Sequence, residues 1–311
     1  MRQYERTHPW LSFTFDSGRL SHLDWLRLGE ALSKCDHVAG VPLQPAVAAE
    51  LHEIYLAGLA HADDVTPGRT QAHSVVVNGY RGAPAEDCDY LLERLCTWLA
   101  GLCDGLPPEL HRPMRIVRAI LAHLYLAWIH PFGDGNGRTA RLMEFQLLLE
   151  AGLPTPACHL LSNYYNRTRT RYYAVLAQTS RPPYPVEAFV SYAVQGFVEE
   201  LREQLATIRH QQLLVAWVNY VHERFQGAPT PARRRQRDLV LSLPFDRPTP
   251  VTAIARLTPD LAAQYATRQH KTVVRDVNEL TRMGLAERTP AGIRPLIGQL
   301  AAFLPRRTAS D

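Results

Sequence analysis

Apolar residues recur at helical spacing along most of the chain. Leu23, Leu26, Leu28, Ala31 and Leu32 form one such cluster, and Leu51, Ile54, Tyr55 and Leu59 form another after a break at Pro42 and Pro45. Helices are therefore expected across 19–60, interrupted at the prolines, and again at about 86–101, 114–129, 137–151, 167–179 and 186–225. One segment departs from the pattern. Ser74-Val-Val-Val-Asn78-Gly79-Tyr80-Arg81 is a β-branched run followed by Asn-Gly, the strongest short-range hairpin signal. A lone hairpin is marginal in water, so on a helical body it needs packing support or a binding role.

After Phe225 the texture changes to Gly-Ala-Pro-Thr-Pro-Ala and then Arg233-Arg-Arg-Gln-Arg237, which reads as a linker into a second domain. Beyond it, Val273, Val277, Leu280 and Met283 make an apolar stripe, and Arg268, Lys271, Arg275, Asn278 and Arg282 occupy the other face. Gly284 stops that helix, Val251 to Leu257 offers a short preceding helix, and 285–295 can turn back as a strand pair. The arrangement resembles a winged helix-turn-helix, with 267–283 as recognition helix and 286–295 as wing. The expected division is 1–228, with a core at about 67–200, and 229–311.

Charge sharpens this division. The 311 residues carry a formal net charge of +4, but Pro229 to Asp311 holds fourteen Arg and Lys against seven Asp and Glu, a net of +7 that leaves −3 for the remainder. Basic charge is nearly all arginine, with Lys34 and Lys271 the two lysines. A hydrophobic fraction of 46% excludes a disordered or collagen-like chain. The N-terminus has no apolar signal core, and the run Ala119 to Ile129 is too short to span a bilayer. A soluble cytoplasmic protein is expected. Five cysteines without a C-x-x-C pair point to buried, reduced thiols; Cys88, Cys96 and Cys103 are spaced to share a helix face.

The chemistry concentrates in His130-Pro-Phe-Gly-Asp134-Gly-Asn136-Gly-Arg138-Thr-Ala-Arg141. Pro131 disfavours αR at the residue before it, so the upstream helix should end at His130. Leu142, Phe145, Leu148 and Leu149 begin the next helix. Between them lies a tight glycine-rich loop whose N–H groups, beside a helix N-terminus, make an anion cradle. Arg138 and Arg141 share one helix face and can reach bound phosphate. Asn136 stands where an N-cap would, with an amide that can also contact phosphate. Asp134 would repel a phosphate unless a Mg²⁺ bridged them. His130 is the side chain there that takes up a proton near pH 7, and Phe132 reads as a core anchor.

This stretch resembles the signature of the Fic (Fic/Doc, Fido) family, His-x-Phe-x-(Asp/Glu)-Gly-Asn-Gly-Arg-x-x-Arg, at every specified position, and the likeness extends from about Thr7 to the 220s. The resemblance implies a mainly α fold, a Fic-type helical bundle with a β-hairpin flap, followed here by the small winged-helix domain. It implies a protein adenylyltransferase that moves AMP from ATP to a Ser, Thr or Tyr hydroxyl of a target protein. His130 would be the general base, Asp134 would hold Mg²⁺ (or Mn²⁺), and Gly135, Asn136, Gly137, Arg138 and Arg141 would bind the triphosphate. The hairpin resembles the flap that pairs with an extended target segment, giving Val75, Val76, Val77 and Asn78 as flap residues. Tyr172 and Tyr173 match a tyrosine pair that lines the nucleotide pocket, with simple core packing as the other reading. Ser180 stands where some relatives carry Asn.

One departure concerns regulation. Many Fic proteins carry an inhibitory helix with (Ser/Thr)-x-x-x-Glu-(Gly/Asn), whose Glu pairs with the second motif arginine. No Glu of this chain is followed by Gly or Asn. The helix would follow Leu51 to Leu59, where the chain instead runs through Asp63-Asp64 to Pro67-Gly68. Arg141 is thus expected to lack an internal glutamate restraint. Expected partners are the target protein, DNA or protein at the C-terminal domain, and a second copy of the chain, with no membrane. Two alternatives stay open: a DNA-binding regulator whose Fic domain senses nucleotide, and a Fic enzyme with deAMPylation or another nucleotidyl or phosphoryl transfer activity.

Overall fold

A computed structural model of the chain describes residues 2–39, 70–71, 76–77, 80–227 and 230–301. The expected helix at Leu51 to Leu59, the loop to Pro67-Gly68 and the flap residues Val75 and Asn78 lie outside the described residues. The chain divides into two compact units, Met1–Leu205 and Ala206–Asp311. No described helix is long and apolar enough to cross a membrane.

The first unit is helical: α1 Gln3–Thr7, α2 His22–Ala39, α3 Cys88–Gly101, α4 Pro108–Ile129, α5 Asn136–Glu150, α6 Thr155–Cys158, α7 Leu160–Arg167, α8 Arg169–Thr179 and the beginning of α9 Val186–Arg224. Its axis is α4. Val117, Ile120, Leu121 and Leu124 are wholly buried, as are Ala119, Ala122 and Tyr125 on the other sides. A helix apolar all round must be enclosed, and α5, α3 and α2 pack on it. Phe13 stacks on Tyr125 at 5.0 Å and Trp98 tilts against it at 4.9 Å, which docks the N-terminal segment on the same core. Two short strands, β1 Val76–Val77 and β2 Tyr80–Arg81, pair antiparallel with Val76 opposite Arg81 and Val77 opposite Tyr80. The hydrophobic pattern placed α3, α5 and the end of α4 to within two residues. It started α4 late, because Pro108 at the first helical turn opens the helix rather than blocking it.

The second unit contains α10 Pro231–Ser242, a 3₁₀ turn Val251–Arg256, α11 Pro259–Tyr265, α12 His270–Arg282, the antiparallel pair β3 Ala286–Thr289 and β4 Gly292–Pro295, and α13 Gly298–Ala301. Its core gathers Trp217, Leu239, Ile254, Leu261, Val277, Leu280 and Ile293. Trp217 lies on α9, so the division between the units falls inside that helix. The run Arg233 to Arg237 is not linker but part of α10, N-capped by the Thr230 hydroxyl. The reason is long-range: Arg235 is buried and its Nε donates to Asp276 Oδ2 at 2.7 Å. Gln236 and Tyr265 donate to the same wholly buried carboxylate, which satisfies a charge that would otherwise be costly to bury.

The cysteines also differ from expectation. Cys35, Cys88 and Cys158 are buried, but Cys96 is exposed and Cys103 lies past the end of α3, half-exposed. Burial pushes the Cys35 and Cys158 thiols up to about 12 and the Cys88 thiol to about 11, so all three stay protonated and unreactive. Among the described residues no three His, Cys, Asp or Glu gather to hold a metal.

Gly196 in α9 fits because it faces Tyr164 of α7: a Cβ there would overlap the tyrosine ring. Gly196→Ala should destabilise the protein by about 1–3 kcal/mol, the cost of overpacking a filled core, read as a lowered thermal unfolding midpoint.

Candidate functional site

The site begins where α4 ends. His130 is its C-cap, in the left-handed region at φ 54, ψ 53, with its N–H on Leu126 O. That conformation turns the chain sharply into Pro131. Gly135, at φ 79, makes the second turn and is the N-cap of α5. Asn136 is therefore not the N-cap expected of it but the first residue of the helix. Its side chain is 2% exposed and spans the loop: Oδ1 accepts from Phe132 N at 2.9 Å and Nδ2 donates to Phe132 O at 2.6 Å. The oxygen and one N–H of its amide are thus engaged in holding the loop, and its main-chain N–H stands among the donors of the helix start. Phe132 is half-buried, and this amide fixes its main chain.

The loop opens into a cleft of about 790 Å³, within the range of small-molecule sites. The structure brings together His130, Gly133 to Arg138, Arg141, Tyr172, Tyr173 and Ser180 on its walls. Asp134 is exposed and accepts from Arg138 at 2.7 Å. Arg138 stands on the first turn of α5, beside N–H groups that a helix start leaves unpaired, and Arg141 on the second turn, three residues on. His130 Nδ1–H points to Ala127 O at 3.2 Å, which assigns the tautomer and leaves Nε2 as the basic nitrogen. Burial holds the His130 imidazole below its usual range, against smaller upward pulls from the Ala127 hydrogen bond and Asp134. Tyr172 is 6% exposed and Tyr173 is 40% exposed, yet both line the cleft, so packing and lining are not alternatives.

Several lining residues were not anticipated. Leu176 and Ala177 continue the α8 face that Tyr172 and Tyr173 begin, at spacings of four and five, and this periodicity was available to find them; Arg181 lies just past the end of α8. Tyr80 of β2 also lines the cleft, and its hydroxyl donates to Trp128 O at 2.6 Å. His8 reaches Arg81 O at 3.0 Å through Nε2, and Trp10 Nε1 donates to Tyr80 OH, so the N-terminal segment clamps β2 in place. Gln71 Nε2 donates to His130 O. No local pattern announces these contacts, because they join residues 48 to 73 positions apart. Of the flap residues, Val76 is exposed on β1 and Val77 pairs with Tyr80.

Comparison with known proteins follows the same loop. Residues 42–148 match the model of the Fic/DOC family. The chain is 33% identical over 135 residues to a protein adenylyltransferase Fic of Nematostella vectensis, covering 43% of this chain and 30% of that protein. It is 38% identical over 105 residues to the protein of the same name from Culex quinquefasciatus, covering 34% and 20%. The chain thus spans less than a third of the length of these curated relatives. A Fic family protein from Desulfovibrio desulfuricans G20 aligns in structure with a TM-score of 0.40 and 19% identity, over 89% of this chain and 76% of that one.

Gly82 packs against the base of the site, where an added Cβ would lie 2.8 Å from His130 Cβ. Gly82→Ala should displace the imidazole from its buried seat, and its titration midpoint, followed by NMR, should move up from the wild-type value.

Proposed function

Taking residues 42–148 as a Fic/DOC family domain, we propose that the chain is a protein adenylyltransferase that transfers AMP from ATP to a hydroxyl side chain of a target protein. The observation that carries this reading is the convergence, on one cleft, of a half-buried imidazole with a basic Nε2 and two arginines from the first two turns of α5. Both named relatives are protein adenylyltransferases. The triphosphate would lie on the main-chain N–H groups of Gly135, Asn136 and Gly137 and on Arg138 and Arg141, with the base against Tyr172 and Tyr173. The target hydroxyl attacks the α-phosphorus, its proton passes to His130 Nε2, and pyrophosphate leaves. A base held below its usual range is neutral at pH 7 and ready to accept that proton. Positioning and charge neutralisation supply the rest of the rate.

Asp134 is the one carboxylate on the cleft walls among the described residues. A single exposed carboxylate fits Mg²⁺, which keeps several waters and is held mainly by substrate phosphates. Bound there, the ion would neutralise charge on the phosphates. Val76 and Val77 would pair the edge of β1 with an extended target segment.

His130→Ala should reduce incorporation of label from α-labelled ATP by at least about 100-fold, the scale of a lost general base. Wild type that incorporates no label with Mg²⁺ or Mn²⁺ would count against transferase activity. The acid limb of the wild-type rate should have its midpoint below 6.5, with activity full at pH 7 and lost as His130 becomes protonated.

A second reading concerns the C-terminal unit. The order α11, short turn, α12 and the β3–β4 hairpin supports a helix-turn-helix with the hairpin as its wing. Arg268, Lys271, Arg275, Asn278 and Arg282 are all exposed on one side of this motif, opposite Val273, Val277 and Leu280. Arg288 of β3 donates to Asn278, joining the hairpin to that face. This surface suits the phosphates of duplex DNA. Full-length protein should bind duplex DNA with an affinity that falls steeply with salt. Lys271→Ala and Arg275→Ala should each lower the salt slope by about 1; binding indifferent to salt and to both substitutions would favour a protein partner instead.

A further inference from the structure

Beneath the cleft lies a chain of polar side chains that the transfer reaction does not use. Glu144 of α5 is 1% exposed, His123 of α4 is 0% exposed, and both sit inside an otherwise apolar core. Tyr165 of α7 donates its hydroxyl to Glu144 Oε1 at 2.9 Å. Glu144 Oε2 lies 3.4 Å from His123 Nδ1, within ion-pair range though outside hydrogen-bond geometry. His123 Nε2 meets the hydroxyl of Tyr172 at 2.9 Å, and Tyr172 is part of the cleft wall. The imidazole is held on its faces as well, stacked on Phe189 and tilted against Tyr165 at 4.8 Å. Carboxylate, imidazole and phenol thus run from α5 through α4 to α8.

We propose that Glu144 and His123 are positioning residues that hold the Tyr172 ring as a fixed wall of the cleft. The inference rests on reading that cleft as the nucleotide site. The physical chain is short. A carboxylate beside Nδ1 favours the proton on that nitrogen, as in any carboxylate–imidazole pair whose second nitrogen must act as an acceptor. Nε2 is then bare, so the Tyr172 O–H donates to it, and one direction of hydrogen bonding is set along the whole chain. The phenol oxygen is drawn into the core and the ring is presented edge-fixed to the cleft. Arg141 lies close enough to favour the ionised phenol, although burial outweighs it and the phenol stays protonated. The α5 helix therefore touches the proposed ligand twice: directly through its first turn, and indirectly through Glu144, two turns further on.

Glu144→Gln keeps the shape and can still accept from Tyr165. Its amide N–H₂ would face Nδ1, which must then become the acceptor and move the ring proton to Nε2. The Tyr172 oxygen would then accept from Nε2–H, its own buried O–H would lose the acceptor it had in His123, and the wall would loosen. Tyr172→Phe removes the same hydrogen bond from the other end, 28 residues away in sequence. The test is a double-mutant cycle on the full chain, read by calorimetric binding of the α,β-methylene analogue of ATP with Mg²⁺. Each single variant should weaken binding by about 2- to 10-fold, the scale of one net hydrogen bond. The double variant should be no weaker than the weaker single. Multiplied losses, or a Glu144→Gln variant that binds as wild type does, would overturn the proposal. Wild type that binds no analogue would instead overturn the nucleotide reading. The melting temperatures of the same four proteins then still decide: non-additive losses support the relay, and additive losses overturn it.

Discussion

One side-chain amide makes the site possible. Asn136 grips both the N–H and the C=O of Phe132, and in doing so closes the loop between α4 and α5 into a ring. That closure works with the His130 N–H on Leu126 O and the Gln71 amide on His130 O to hold a left-handed turn that a non-glycine residue disfavours by about 1–2 kcal/mol. With it, the end of α4 delivers an imidazole and the start of α5 delivers two guanidiniums to the same space. The burial of Asn136 is part of the device, because an amide shielded from water has no competing partners.

Both units handle buried charge in the same way, by surrounding a carboxylate rather than by avoiding it. Asp276 collects an arginine, a glutamine and a tyrosine from α10 and α11. Glu144 collects a tyrosine and lies against a histidine. In each case the acid sits on the helix that also carries basic residues of the proposed binding surface: the half-buried Arg138 and Arg141 on α5, the exposed Lys271 and Arg275 on α12. A buried acid on the inner face fixes the rotation of the helix, and the basic residues on the outer face are aimed by that rotation. Replacing the acid with an apolar residue could keep the fold and still lose the aim.

Much of this was legible in the sequence because it is local. The helix spacing before His130, the proline after it and the glycines that follow place the loop between two helices, and the motif residues lie on the cleft as their order suggests. The hairpin signal, too, lies in the local run Val-Val-Val-Asn-Gly, whose described strand residues pair antiparallel with Tyr80 and Arg81. What could not be read is what depends on contacts between distant residues. The spacing of Asn136 marks it as a cap; only the folded loop shows its amide turned back on Phe132. Arg235 looks like part of a basic linker until Asp276, 41 residues on, takes it up. His123 reads as an interruption in an apolar run, and nothing near it in sequence points to Glu144 or Tyr172. Gly82 is one glycine among eighteen, and its value lies in an atom it lacks facing His130.

The clamp on β2 has a consequence for how the protein can be divided. The span recognisable as Fic/DOC, 42–148, contains the loop and both arginines. It omits His8 and Trp10, which hold β2 against the cleft, and the α8 face that forms the opposite wall. The recognisable signature and the smallest piece that can fold into a complete cleft are therefore different objects. A fragment trimmed to the signature would keep the residues most associated with chemistry and lose the architecture that aims them. Modularity in this chain is a property of the compact unit and not of the motif.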